Sequence, residues 1–451
     1  MVYNAEQGKL PEYTRAFARK AKSLLYKCPV VFFGAVLYLM YVMTVGEKMF
    51  SCTGSFPGAE VHTASAILFV AASCVSQVLF FALSSYTSGV ISSPISESFR
   101  YVQSMHESLA AGLPVERVFT NLFVCLALSV LLTSAGFFLM YILRAERMIN
   151  RIPSGLSMAL FISIGFLCVS YANERVCAVS SAAGVYWQAV LAFNAVGVAV
   201  TLLCKVCKKR CPAVARYSVL WAGVLLTAVF YVWALIKGET TASLLNKGWL
   251  ASDPRKEVVL AVPRMALPHI DLRAVLWEIP SIGKIAAMNL MQFPINFPPA
   301  KAQTGKSARA RKELLANGVC NAVTSLFGCS VQVLPSSTIA VYESGSRHMA
   351  DTLLFTAALI GSLAAGHRLL LYVPFAVFDM LFLCLGLNIV LQSGLDAFAE
   401  GWGVFAGAVC VSVVSTATGS VLCGAAMGAL LYAGKYMYTQ HSRVCFSPCE
   451  V

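Results

Sequence analysis

Apolar residues along this chain come in runs long enough to cross a bilayer, separated by short polar and basic breaks. A bilayer core needs about 20 apolar residues per helix. The runs predict helices over 28–46, 61–83, 116–143, 152–172, 186–204, 216–236, 275–298, 315–330, 349–371, 374–393, 402–417 and 418–437. Two further elements, near 94–111 and 335–345, are short and interrupted by polar residues. Together these make about 14 transmembrane elements. The stretch 275–298 is proline-rich, and 402–437 reads either as one long helix or as two short ones.

The pattern repeats. "IPSGLSMALFISIGF" from Ile152 parallels "VPFAVFDMLFLCLGL" from Val373. Pro153 and Gly165 keep the same separation as Pro374 and Gly386, and Leu160–Phe161 matches Leu381–Phe382. These are elements five and twelve. The two polar-interrupted segments are elements three and ten, the same offset. An odd offset turns one copy over in the membrane, which is an inverted repeat, a common plan of secondary transporters. The polar segments read "SSYTSGVISSPISESF" and "GCSVQVLPSSTIAVYESG". Each has a serine-rich, proline-bearing stretch leading into a short helix. Irregular backbone at membrane depth needs burial in protein or a watery cavity. Two half-helices whose starts face each other present free N–H groups and serine hydroxyls to a common point, which makes a substrate site.

Composition fits this reading. The chain is 58% hydrophobic and 12% charged, with a mean hydropathy of +0.72. The net charge of +13 sits in short clusters between apolar runs. That is the pattern of positive-inside orientation, not of a nucleic-acid partner. The loops "RAERMINR", "KVCKKRCPAVAR" and "KAQTGKSARARK" mark the cytosolic side and predict cytosolic termini. The polar, basic start has no signal-peptide pattern. The 16 cysteines are mostly scattered singly in apolar runs. Cys204, Cys207 and Cys211 cluster, but lack a fourth ligand for zinc; juxtamembrane acylation is the other reading of that cluster. The sequence carries no nucleotide-binding loop and no ligand-spaced histidine pair, so no enzyme activity, metal or cofactor is expected.

The runs "RKELLANGVCNAVTSLFGCSVQVLPSSTIAVYESGSRHMADTLLF", "YVPFAVFDMLFLCLGLNIV" and "RAERMINRIPSGLSMALFISIGFL" resemble the sulfate permease family, also called solute carrier family 26. "SQVLFFALSSYTSGVISSPISESFRYVQSMHES" and "MQFPINFPPA" are similar to a fungal vacuolar branch associated with storage of basic amino acids. The resemblance covers about residues 61–172 and 272–437. It implies a seven-plus-seven inverted repeat, a core domain moving against a gate domain, and a site between half-helices three and ten. Typical anion carriers of the family open the tenth half-helix with a Ser-Arg-Thr-like triplet. Here the matching residues are Ser336, Ser337 and Thr338, so Ser337 stands in place of the arginine. Gln292 stands where many members carry a glutamate. The family's C-terminal regulatory STAS domain is not present in this sequence.

The expected fold is therefore an all-α polytopic membrane protein with two half-helices. The expected organisation is a cytosolic tail 1–27, a first repeat 28–236, a connecting segment 237–274, a second repeat 275–438 and a cytosolic tail 439–451. Ser92, Ser93, Ser336, Ser337, Thr338 and Gln292 are the candidate substrate-binding residues. Ionisable groups inside spans are functional candidates by default. Glu97 and Asp379 are the coupling candidates, although Glu97 also stands three residues from Arg100 and Asp379 also fits a helix-helix contact. The expected function is secondary transport of a small inorganic anion such as sulfate by alternating access. A basic or neutral amino-acid carrier of a vacuole-like membrane and a non-transporting membrane scaffold are the alternatives. The expected partners are a small substrate or ion, the lipid bilayer of the plasma membrane or a vacuole-like organelle, and a second copy in a homodimer.

Overall fold

The computed structural model describes residues 30–32, 34, 35, 38, 42, 59–95, 97–149, 153–182, 186–211, 218–246, 249–250, 267–304, 308–361 and 373–445. The predicted tail 1–27 and most of the segment 247–266 lie outside them. The long helices are α1 Ala59–Leu83, α2 Phe99–Gly112, α3 Val115–Ile142, α4 Ser154–Ala182, α5 Tyr186–Arg210, α6 Ser218–Ile236 and α7 Ile279–Gln303. They continue with α8 Ala310–Thr324, α9 Pro335–Ser344, α10 Ala350–Gly361, α11 Phe375–Ala399, α12 Trp402–Thr418 and α13 Val421–Cys445. The described residues among 30–42 are helical and precede α1. Val115–Ile142, Ser154–Glu174, Trp187–Cys207 and Ala376–Ala399 are long and apolar enough to cross a membrane. The protein is an integral membrane protein of all-α class.

Helix ends follow local chemistry. The 402–437 stretch is two helices, because Gly419 takes a left-handed conformation (φ 63°) and caps α12. The predicted helix 315–330 starts earlier, at Ala310, and stops at Thr324. A 3-10 turn, Ser325–Phe327, and the left-handed Gly328 then swing the chain into an extended segment. The prolines do not break α7. Pro280 lies in its first turn, where no N–H bond is lost. Pro294, Pro298 and Pro299 sit within the helix, each at the loss of one backbone bond.

The helices pack in two groups. In the first, α3 lies against α2, α7 and α8, and α1 against α8 and α10. In the second, α4 lies against α5, α11, α12 and α13, and α11 also against α5, α6 and α12. Each half of the chain divides the same way, its early helices joining the first group and its later ones the second. That is the inverted repeat in three dimensions.

The repeat shows most directly where mates touch. A Cβ on Gly165 would lie 2.8 Å from the Gly386 carbonyl oxygen, and a Cβ on Gly386 would lie 2.7 Å from the Gly165 carbonyl oxygen. The glycines matched by the sequence repeat are thus the crossing point of α4 and α11. Reciprocal contact of equivalent residues is the signature of a two-fold axis. The same reciprocity holds in the first group. Residues Ser92–Pro94 (β1) pair antiparallel with Val331–Val333 (β2), with Ser93 opposite Gln332 at the centre. Each strand leads into a short helix, β1 into α2 and β2 into α9. At ~1.5 Å per residue, α2 and α9 are about 21 and 15 Å long, half of a bilayer core.

Candidate functional site

The site is built around the two strands, and a polar backbone at membrane depth must have its partners counted. From Ser84 to Ile95 the chain is irregular, so side chains supply what a helix would. Gly89 donates its N–H to Ser346 Oγ (3.1 Å), Val90 to Thr352 Oγ1 (3.0 Å), Ile91 to Thr338 Oγ1 (3.1 Å) and Ser92 to Gln77 Oε1 (3.2 Å). The strand pair adds Ile95 N–H to the Ser330 carbonyl (3.1 Å) and Leu334 N–H to the Ile91 carbonyl (2.8 Å). On the other strand, Asn321 of α8 clamps Val331. Its Nδ2 donates to the Val331 carbonyl (2.9 Å), and its Oδ1 accepts from the Val331 N–H (3.1 Å) and from Ser330 Oγ (2.8 Å). Asp351, buried in the first turn of α10, accepts from Ser346 Oγ at 3.0 Å and so braces the group that holds Gly89.

Beside the pair, the start of α2 opens onto a small cavity, of about 20 Å³. Ile95 and Ser98 reach it from the turn before α2, Ser129 from α3, Asn289 from α7, and Gly328 and Ser330 from the turn before β2. No charged side chain lines it among the described residues. The N-cap residue Ser98 makes no side-chain capping bond to α2, and Leu334 makes none to α9. Each helix start therefore keeps first-turn N–H groups without a side-chain acceptor. The two starts lie at opposite ends of the strand pair, separated by about 10 Å of extended chain.

Among the described residues, buried polar atoms without partners include Ser93 Oγ in β1, Gln77 Nε2 in α1, and Asn289 Oδ1 and Gln292 Nε2 in α7. Asn289, Gln292 and Asn296 are all buried and, at three- and four-residue spacing, share one face of α7. Asn289 meets the strand pair, since Gln332 donates to its backbone carbonyl. Its Nδ2 donates to Thr133 Oγ1 at 3.3 Å. Buried polar groups are normally satisfied, by protein or by water. Four unsatisfied ones lie on three elements, β1, α1 and α7.

The predicted residues fall as follows. Ser92 and Ser93 lie on β1, fully buried. Ser92 Oγ is bonded to Ser76 Oγ (2.6 Å), which leaves Ser93 as the serine facing no protein partner. Gln292 is buried on the polar face of α7. Ser336 and Ser337 are in the first turn of α9; the Ser336 side chain lies outside the described set. Ser337 is half-buried and Thr338 buried, its hydroxyl accepting from Ile91 N–H. Glu97 is half-buried in the turn before α2. Arg100 reaches away, its guanidinium packing on Gly419 at the C-terminal end of α12, where a cation is favoured by the helix dipole. Asp379 is buried near the start of α11, in the second helix group.

Sequence reasoning missed Gln77, Asn321 and Glu313. Glu313, Asn317 and Asn321 stand four residues apart on α8 and are all buried. That polar stripe on an otherwise membrane-compatible helix was the available signal.

No protein-family model and no curated protein sequence matches the chain. Solved structures do. The transmembrane domain of a cyanobacterial bicarbonate transporter, BicA, aligns with a TM-score of 0.54 at 15% identity, over 89% of this chain and 97% of that one. Murine solute carrier 26 family member A9, an anion transporter solved in the inward-facing state, aligns with a TM-score of 0.61 at 13% identity, over 97% of this chain and 74% of that one. A further structure of member A9 gives 0.60 at 13% identity. At these identities the likeness is one of fold. The protein has the fold of these transmembrane domains, the one expected from its own repeat.

Proposed function

We propose that the protein is a secondary transporter that carries a small inorganic anion across a membrane by alternating access. The observation that carries this reading is the uncapped start of α2 at a neutral cavity, together with unpartnered buried amide and hydroxyl groups on β1, α1 and α7. Helix-start N–H groups, the Ser93 hydroxyl and the Gln77 and Gln292 Nε2 groups are donors, against one acceptor, Asn289 Oδ1, and an excess of donors suits an anion. The fold is shared with an anion transporter and a bicarbonate transporter, which supports the same class. Two helix groups in one chain supply the bodies that rock against each other.

The absence of a cation among the cavity residues bears on substrate charge. Desolvating an ion costs in proportion to the square of its charge. Dipoles alone serve a singly charged anion better than sulfate, so sulfate is the upper limit of the proposed range. Glu97, half-buried just before α2, favours a second reading, a basic amino acid held at the same place.

The test is uptake into proteoliposomes of labelled chloride, bicarbonate, sulfate and arginine, each against empty liposomes. Saturable uptake of at least one anion is expected. Arginine uptake without anion uptake replaces the substrate class, and uptake of none of the four removes the proposal.

A further inference from the structure

A second, smaller cavity, of about 10 Å³, shares no lining residue with the first. Gln332 forms one wall, and Glu313 and Asn317 of α8 form another, with Tyr86 and Asn296 between them. Glu313 is 1% exposed. Its carboxylate is held by the elbow between α1 and β1. Ser84 Oγ donates to both oxygens, at 2.9 and 3.1 Å. Ser85 donates its backbone N–H and its hydroxyl to Oε1, the hydroxyl at 2.6 Å. The Ser85 hydroxyl also accepts from the Arg309 N–H at 2.8 Å, which ties the elbow to the loop entering α8.

Such an arrangement has two stable forms. An ionised carboxylate is acceptor-only and takes all these donors. A protonated one becomes a donor and needs an acceptor, and a spare acceptor is present. Asn317, one turn along α8, gives its Nδ2 to the Glu313 carbonyl (2.8 Å) and leaves Oδ1 buried without a partner among the described residues. The charged and titratable surroundings are few. Lys312 is the neighbouring cation, and Tyr86 and Cys320 lie within reach of the carboxylate's charge. Lys301 lies over the Phe297 ring, which borders the cavity. Arg311 is drawn away onto the Tyr141 ring of α3.

We infer that Glu313 is a proton-binding coupling site. Ionised, it pins Ser84 and Ser85, and with them the segment that carries β1 and the start of α2. On taking a proton from water it surrenders one acceptor oxygen, turns its new O–H toward Asn317 Oδ1 and loosens the elbow. Because β1 carries Ser93 and leads into α2, the proton's arrival changes the anion site. Glu313 here positions the site and does not touch the anion.

This inference rests on the anion-transport reading, and its test separates the two. Anion uptake and internal pH are followed together in proteoliposomes, from pH 5 to pH 8. The wild type is expected to move protons with anion. Glu313→Gln, which mimics the neutral form, is expected to keep anion exchange and to lose both proton movement and pH dependence. Ser85→Ala removes one donor to the ionised form and leaves the carboxyl in place. It is expected to move the midpoint of the transport–pH curve to higher pH, and it serves if the glutamine variant does not fold. Anion uptake by the wild type with no proton movement and no pH dependence overturns this inference alone. So does proton movement that survives in Glu313→Gln. Absence of anion uptake in the wild type removes the transport reading, and this inference with it.

Discussion

Asn321→Leu removes a side chain that serves a strand rather than a helix. Leucine keeps asparagine's branched heavy-atom skeleton and is bulkier, so no space opens for a water to take its place. Three buried groups lose their partner: the Val331 N–H, the Val331 carbonyl and Ser330 Oγ. A buried polar group left unpaired costs about 1–3 kcal/mol. The three share one neighbour, so their costs do not simply add, and we expect a total of about 3–6 kcal/mol. Asn321→Asp keeps the two acceptor bonds and loses the donor to the Val331 carbonyl, so it should fall between leucine and wild type. The assay is thermal unfolding of the purified protein in detergent, beside anion uptake in liposomes. A fall of at least about 5 °C is expected for the leucine variant, with uptake lost because β2 no longer holds β1 in register. A leucine variant that melts within about 1 °C of wild type and transports normally would show that the strand pair does not need this clamp.

Three other changes test separate parts of the fold. Gly386→Val places side-chain atoms against the Gly165 carbonyl and Cys168 Cβ, at positions where a Cβ alone would approach within 2.8 Å. It should cost about 1–3 kcal/mol or more by overpacking, read as a lower melting temperature. Ser420→Ala breaks the 2.6 Å bond between Tyr101 Oη of α2 and Ser420 Oγ of the α12–α13 turn, a link between the two helix groups. Loss of about 1 kcal/mol should change maleimide labelling of the exposed Cys423 about fivefold; an unchanged rate shows that the bond does not select a conformation. His106 is buried in α2 with neither ring nitrogen paired among the described residues. His106→Leu should therefore stabilise the protein by about 1 kcal/mol, and a lower melting temperature contradicts that.

Much of the architecture is legible in the sequence because bilayer thickness sets the length of each apolar run. The inverted repeat is legible for a different reason. Pro153 and Gly165 reappear as Pro374 and Gly386, and those glycines prove to be the contact between repeat mates. The half-helices are visible as proline and serine where lipid-compatible residues belong. What the sequence hides is pairing across distance. Ser92–Pro94 and Val331–Val333 are too short to show a strand period, and nothing local says that Ser93 meets Gln332. The same holds for the elbow 84–95, whose N–H groups are met by Gln77 of α1 and by Thr338, Ser346 and Thr352 from the other half of the chain. Thr338, a candidate ligand from its place in the triplet, also accepts a hydrogen bond from Ile91 N–H, which nothing local announces. Glu313 is masked by the basic run before it, which draws attention to charge outside the membrane rather than within it.

The central claim is that the unpartnered groups around the strand pair hold the anion. Ser93→Leu tests it most directly, since Ser93 Oγ has no protein partner to lose. The measurement is the initial rate of anion uptake by Ser93→Leu in proteoliposomes, beside wild type at matched protein density and melting temperature. The account predicts a folded, inserted protein with uptake at the level of empty liposomes. Uptake at the wild-type rate, with the wild-type affinity, would contradict it.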